Sequence, residues 1–197
     1  MTLMLGAYFF FIALILAYLE IQIEGPHGWA EKLPTWRWDG PAVRRLFGKP
    51  VTGYHVCLVT CILLFLHVPQ FYDGSWEREA DLVAMFFFLT VTWDFLWFAC
   101  NRHFGVARFR KGQIWWFPAW TLGVPREYFV GVALSLCVAL APALWTGAWA
   151  DRAQRWALIF GELLALTTAV TALTFRSRRR AAALSRGIRD AVKVKPK

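Results

Sequence analysis

Glu20, Glu24 and His27 follow one another at intervals of four and three residues, near the end of an apolar run that begins at Leu3. At 100° per residue they occupy a stripe about 60° wide on one helix face. Two carboxylates one turn apart in apolar surroundings repel each other. They call for a cation: a metal ion, an arginine, or a proton shared between them. Gly25-Pro26 interrupts the helix ahead of His27, whose side chain can still fold back over the helix end. His55 follows Gly53-Tyr54 at the start of a second apolar run. Asp94 lies inside a third, with Asn101 two turns later on the same face and His103 just beyond it. Imidazole and carboxylate donors together suit iron, zinc or manganese. The expected metal ligands are therefore Glu20, Glu24, His27, His55 and His103, with iron or zinc as the ion. Asp94 is the expected general base, supported by Asn101 and Trp97. The competing reading places Glu24 at the water interface, pairs Glu20 with an arginine of the following segment, and leaves each histidine as a headgroup contact.

Several kinds of chemistry are excluded. There is no His-x-x-His box, no His-Glu-x-x-His zinc motif, no phosphate-binding glycine loop and no Gly-x-Ser-x-Gly elbow. Four histidines cannot furnish a histidine-rich di-iron centre. The cysteines Cys57, Cys61, Cys100 and Cys137 include no Cys-x-x-Cys pair and are expected to act as small apolar residues.

Helical bundles build such sites from inward-facing side chains on neighbouring helices. The composition places this bundle in a membrane. Of 197 residues, 58% are hydrophobic, 17% aromatic and 18% charged, against about 45–50% apolar and about 25% charged in soluble domains. A bilayer crossing needs roughly 17–25 mostly apolar residues. Five stretches qualify: residues 3–23, 54–72, 82–100, 128–145 and 156–175. The first lacks the basic start and the small-residue cleavage site of a signal peptide, and is read as a retained span. The expected fold is all-α, a bundle of five transmembrane helices over residues 1–175 followed by a basic tail, 176–197.

Nineteen of the 22 lysines and arginines fall between the first and second spans, between the third and fourth, and in the tail. Five spans put these three segments on one face, and the positive-inside rule makes that face cytoplasmic. The N-terminus is thus expected outside and the C-terminus inside, in a bacterial-type inner membrane. The net charge of +9 is then a topology signal, and nucleic acid is not an expected partner. Leu184, Ile188 and Val192 recur at helical spacing in the tail, which suits a short amphipathic helix over residues 181–192 lying on anionic lipid. The long tryptophan-bearing segments at 24–53 and 101–127 are expected to be structured rather than loose. His67 reads as an interfacial residue, and Glu162 as a structural one paired with Arg152 or Arg155.

By depth, Glu20, Glu24, His27, His55, Asn101 and His103 share the inner end of the bundle. Trp93, Phe95, Trp97 and Phe98 surround Asp94 as candidate walls of an apolar pocket. The function expected from these residues is a small metal-dependent membrane enzyme, doing redox or hydrolytic chemistry on a lipid-soluble substrate, with oxidoreduction favoured. Two alternatives remain open: a proton-coupled transport or conduction protein using Glu20 and Asp94, and a structural subunit of a membrane complex or homo-oligomer.

Overall fold

The computed structural model describes the backbone of residues 2–193 and the side chains of residues 3–186. Helix α1, Thr2–Glu24, is apolar on every side for its first eighteen residues, carries Glu20 and Glu24 near its end, and stops where Gly25 turns left-handed, φ 61°, with Pro26 behind it. Its successors are the short α2, Pro41–Phe47, then α3, Gly53–Leu66, and the single turn α4, Gln70–Asp73. Helix α5, Trp76–Cys100, starts at Ser75, whose hydroxyl accepts the Arg78 N–H at 3.1 Å, with Glu77 and Glu79 favourably placed in the first turn. Helices α6, Arg126–Leu140, α7, Ala143–Thr146, and α8, Trp149–Lys193, complete the chain. Among the described residues, five helical segments are long and apolar enough to cross a membrane: Leu3–Glu24, Gly53–Asp73, Trp76–Cys100, Arg126–Thr146 and Trp149–Arg186.

The all-α reading holds, with two small additions. The strands β1, Arg37–Trp38, and β2, Val51–Thr52, pair antiparallel in the register Arg37↔Thr52. The strands β3, Trp120–Thr121, and β4, Val124–Pro125, form a hairpin closed by Leu122 and Gly123, both at positive φ as a two-residue turn requires. These ladders fold the two long connections into compact caps over one end of the bundle.

Helix α5 is the centre of the packing. Phe88, Leu89, Trp93, Leu96, Trp97 and Phe98 on it are all buried; α1, α6 and α8 lie against it, and α8 also packs on α1 and on α6. Helix α3 is peripheral, with only Gly53 and Ile62 buried. Cys57, Cys61 and Cys137 are exposed on the outside of the helices rather than packed in the core.

Two expectations are corrected. The tail does not begin a separate helix: α8 runs unbroken for 45 residues. No glycine or proline occurs between Glu162 and Ser185, and the alanine–arginine stretch carries the helix onward. Ile188 and Val192, needed for the amphipathic face, lie outside the described side chains. Glu162 does not pair with Arg152 or Arg155. Both arginines are held by Asp81, at 2.7 and 3.2 Å, and Glu162 lies against Gly6 of α1 with Oε2 unpartnered. At the same end His67 bonds Glu79 at 2.8 Å.

Candidate metal centre

The last turn of α1 and the first turn of α3 meet beneath the cap formed by residues 25–52. Glu20, Glu24 and His55 each offer a ligand atom there, and the three atoms lie within 4.8 Å of one another. His55 Nε2 is 3.6 Å from Glu20 Oε1 and 3.9 Å from Glu24 Oε1. Neighbouring ligands on an ion with bonds of about 2.0–2.2 Å stand roughly 3.0–3.6 Å apart. The two His55–glutamate distances are within a few tenths of an ångström of that range, and the whole set, bounded at 4.8 Å, would close by shifts of up to about 1 Å. Both glutamates are buried, at 8% and 6% exposure.

Local structure aims each donor. Thr52 caps α3, and its hydroxyl, fully buried, accepts the His55 backbone N–H and lies 2.6 Å from His55 Nδ1. When Nδ1–H donates to that hydroxyl, the lone pair of Nε2 faces the glutamates, the tautomer that a metal ligand needs. The ring of His55 is stacked on Trp29, with centroids 4.1 Å apart and planes at 19°. Trp29 in turn donates Nε1–H to the Pro50 carbonyl at 2.8 Å. Trp29 and Ala30 both sit at positive φ, 58° and 52°, where side chains are strained. Glu24 helps hold that turn by accepting the Ala30 N–H, while Arg37 donates to the Ala30 carbonyl. The carboxylate of Glu24 is thus fixed by the same backbone strain that presents Trp29 to His55.

Glu20, Glu24 and His55 open into a cavity of about 190 Å³. Its aromatic walls are Trp29, Trp93, Trp97, Phe98 and Trp116, and Asp94 and Thr90 also line it. Asp94 and Thr90 line a second cavity too, of about 290 Å³, with Lys49, Glu127 and Tyr128. Tyr128 donates its O–H to Asp94 Oδ2. Asp94 therefore lines both the cavity of the glutamate–histidine cluster and the one that holds Lys49, Glu127 and Tyr128. In this setting a carboxylate hydrogen-bonded to a phenol can take up or release a proton.

The expected residues divide. Glu20, Glu24 and His55 come together, and Asp94 and Trp97 border the same cavity. His27 instead lies 3.6 Å from Glu31 on a half-exposed turn, and His103 is exposed beside Arg102, whose Nε lies 3.3 Å from its ring. Asn101 is wholly buried and acts as a joint: its Nδ2 donates to the Gly25 carbonyl at 2.8 Å, and its Oδ1 accepts the His103 N–H at 2.9 Å. It ties the end of α5 to the end of α1 without facing the ligands.

Sequence reasoning missed Thr52, Trp29, Lys49 and Tyr128. Thr52 carried a local signal, an N-cap residue three positions before His55. Tyr128 carried none, since it meets Asp94 only through packing of α5 on α6. Lys49 was counted solely as positive-inside charge. Its ammonium lies over the Trp29 ring at 3.6 Å from the centroid and the Phe117 ring at 4.6 Å.

Burial pushes Lys49 down to about 8, against the opposing pull of Asp94, Glu127 and Glu20. Lysine in an unfolded chain titrates near about 10.4. Between these values the unfolded chain keeps a proton that the folded one has released, so this residue adds stability as pH rises through that window. The melting temperature of the wild type is expected to rise relative to Lys49→Met between about pH 8 and 10.4. Parallel pH profiles for the two proteins would contradict this placement of the ammonium.

Comparisons with protein-family models, with curated proteins and with solved structures find no match to this chain. The class is defined by its own features: a helical chain with five helices long and apolar enough to cross a membrane, carrying a buried Glu/Glu/His cluster.

Proposed function

We propose that this chain is a small integral membrane enzyme that holds iron or zinc on Glu20, Glu24 and His55 and acts on a lipid-soluble substrate. The observation that carries this reading is the convergence of three ligand atoms, from two separate helices, at one buried point within an aromatic cavity. Two carboxylates and an imidazole cannot share such a place without a cation or protons to offset their charge. A bound divalent ion would supply Lewis-acid or redox chemistry at that point. The chain's own contributions are separate from it. Thr52 sets the His55 tautomer, Trp29 fixes the ring plane, and the tryptophan walls exclude water. Asp94, with Tyr128 behind it, serves as general base.

The reading places the N-terminus outside and the C-terminus inside an inner membrane, because the basic connections and the basic tail then share the cytoplasmic side. The cluster lies under the cap of residues 25–52, so it faces that side. The tail rests on anionic lipid there. A second reading, proton conduction through Glu20 and Asp94, is favoured by one observation: both residues line the same cavity, and Asp94 reaches a second one.

Metal content decides between the two readings. Protein purified in detergent and loaded with Fe²⁺ or Zn²⁺ is expected to retain one equivalent after desalting, and Glu20→Ala and Glu24→Ala are expected to retain far less. Retention below stoichiometry that neither substitution alters would overturn the metal reading. Proton flux in liposomes that is abolished by Asp94→Asn, in metal-free protein, would support conduction instead.

A further inference from the structure

A larger concavity, about 710 Å³, lies on the far side of α5, between α5, α6 and α8. Phe88, Phe95, Tyr128, Phe160 and Phe175 shape it, and no charged residue lines it. Two of the four threonines in its wall turn their hydroxyls back on their own helix: Thr168 donates to the Leu164 carbonyl and Thr171 to the Thr167 carbonyl, each at 2.7 Å. The surface they leave is apolar. Along α8 the groove runs from Phe160 to Phe175, about 22 Å at 1.5 Å per residue. That is close to half of the roughly 40–45 Å that a bilayer measures with its headgroup layers.

One end of the groove is formed by Val106, Ala107, Val124 and Phe175. Each of these four is followed within two residues by an arginine: Arg108, Arg126 or Arg176. All three arginines are exposed, and none makes an ion pair or a side-chain hydrogen bond among the described residues. Arg178 nearby is committed to the Ala99 carbonyl at 3.0 Å, and Glu127 lines the neighbouring cavity with Lys49. Three exposed arginines thus lie within two residues of the lining at one end of an apolar groove about one leaflet long.

We propose that this groove binds one anionic phospholipid, an acyl chain lying along α8 and the phosphate seated on Arg108, Arg126 and Arg176. Guanidinium groups at the membrane surface favour an anionic over a zwitterionic headgroup, and the apolar wall supplies chain burial that a free phosphate would not use. The inference rests on the membrane-embedded part of the proposed function and not on the metal centre.

The test uses the full chain in dodecyl maltoside, mixed with equal amounts of palmitoyl-oleoyl phosphatidylglycerol and phosphatidylcholine. Retained lipid is counted by native mass spectrometry, and metal content is measured on the same samples. The expected result is one phosphatidylglycerol per chain, preferred by about tenfold. Replacing Arg108, Arg126 and Arg176 together by glutamine should abolish the preference yet leave lipid bound. Ala172→Phe, which puts a ring into the groove, should expel both lipids, and Thr168→Phe one turn earlier is a second variant of the same kind. Equal retention of both lipids by the wild type, or undiminished retention by both groove-filling variants, would overturn the proposal. So would displacement of the lipid by glycerol 3-phosphate, which would mark a phosphate site without a chain. Metal loss with intact lipid preference would count against the proposed function alone.

Discussion

Substituting His55 by alanine is expected to weaken metal retention by more than about 100-fold, measured by competition with a calibrated chelator in detergent solution. The variant removes the only ligand contributed by α3 and leaves two carboxylates of α1, one turn apart on a single helix. Thr52→Val tests the same account from one atom further out. It keeps all three donors but takes away the hydroxyl at 2.6 Å from Nδ1, and a loss of about 10–100-fold is expected. Thr52 also caps α3, so Thr52→Ser is the control: it preserves both the cap and the acceptor and should bind nearly as the wild type does. If His55→Ala and the wild type held the metal equally well, the cluster would be an ion-pair network and not a coordination site.

The second large effect is on stability. Asn101→Ala empties a fully buried position and removes the donor to the Gly25 carbonyl and the acceptor of the His103 N–H, at a cost of about 1–3 kcal/mol. Thermal unfolding in detergent should show a clearly lowered midpoint for the metal-free protein. Because Gly25 follows Glu24 directly, metal affinity should fall as well, by less than it does in His55→Ala. An unchanged midpoint would mean that α1 and α5 are joined by their apolar contacts alone.

What could be read from the sequence follows physical range. The positions of five long apolar helices needed only hydropathy and length, and the stop of the first was marked by Gly25-Pro26, whereas the start of α5 behind Ser75, six residues ahead of the apolar run, was not read. The shared depth of Glu20, Glu24 and His55 followed from counting residues along those helices. Azimuth did not. Depth alone could not separate His55, which α3 turns toward α1, from His103, which faces solvent beside Arg102. His27 was lost for a related reason. The stripe that placed it beside Glu24 assumes a continuous helix, and beyond the left-handed Gly25 the chain carries it to Glu31 instead. Residues that act through tertiary packing, Tyr128 on Asp94 and Lys49 over Trp29, left no trace in local spacing.

The strain at Trp29 and Ala30 has a functional counterpart. Two consecutive side-chain-bearing residues at positive φ are retained where one stacks on the histidine and the other donates to a glutamate. If the cluster takes an ion as proposed, donors held this way would be organised beforehand, which would lower the reorganisation cost of binding.

X-ray absorption at the metal edge, on this chain loaded with one equivalent of Zn²⁺ or Fe²⁺, reads directly whether Glu20, Glu24 and His55 coordinate an ion. The account predicts a first shell of one imidazole nitrogen at about 2.0–2.1 Å with carboxylate oxygens at about 2.0–2.2 Å, the imidazole signature vanishing in His55→Ala. A shell of oxygen alone, or an imidazole signal that persists in His55→Ala and is lost only when His27 or His103 is replaced, would contradict it.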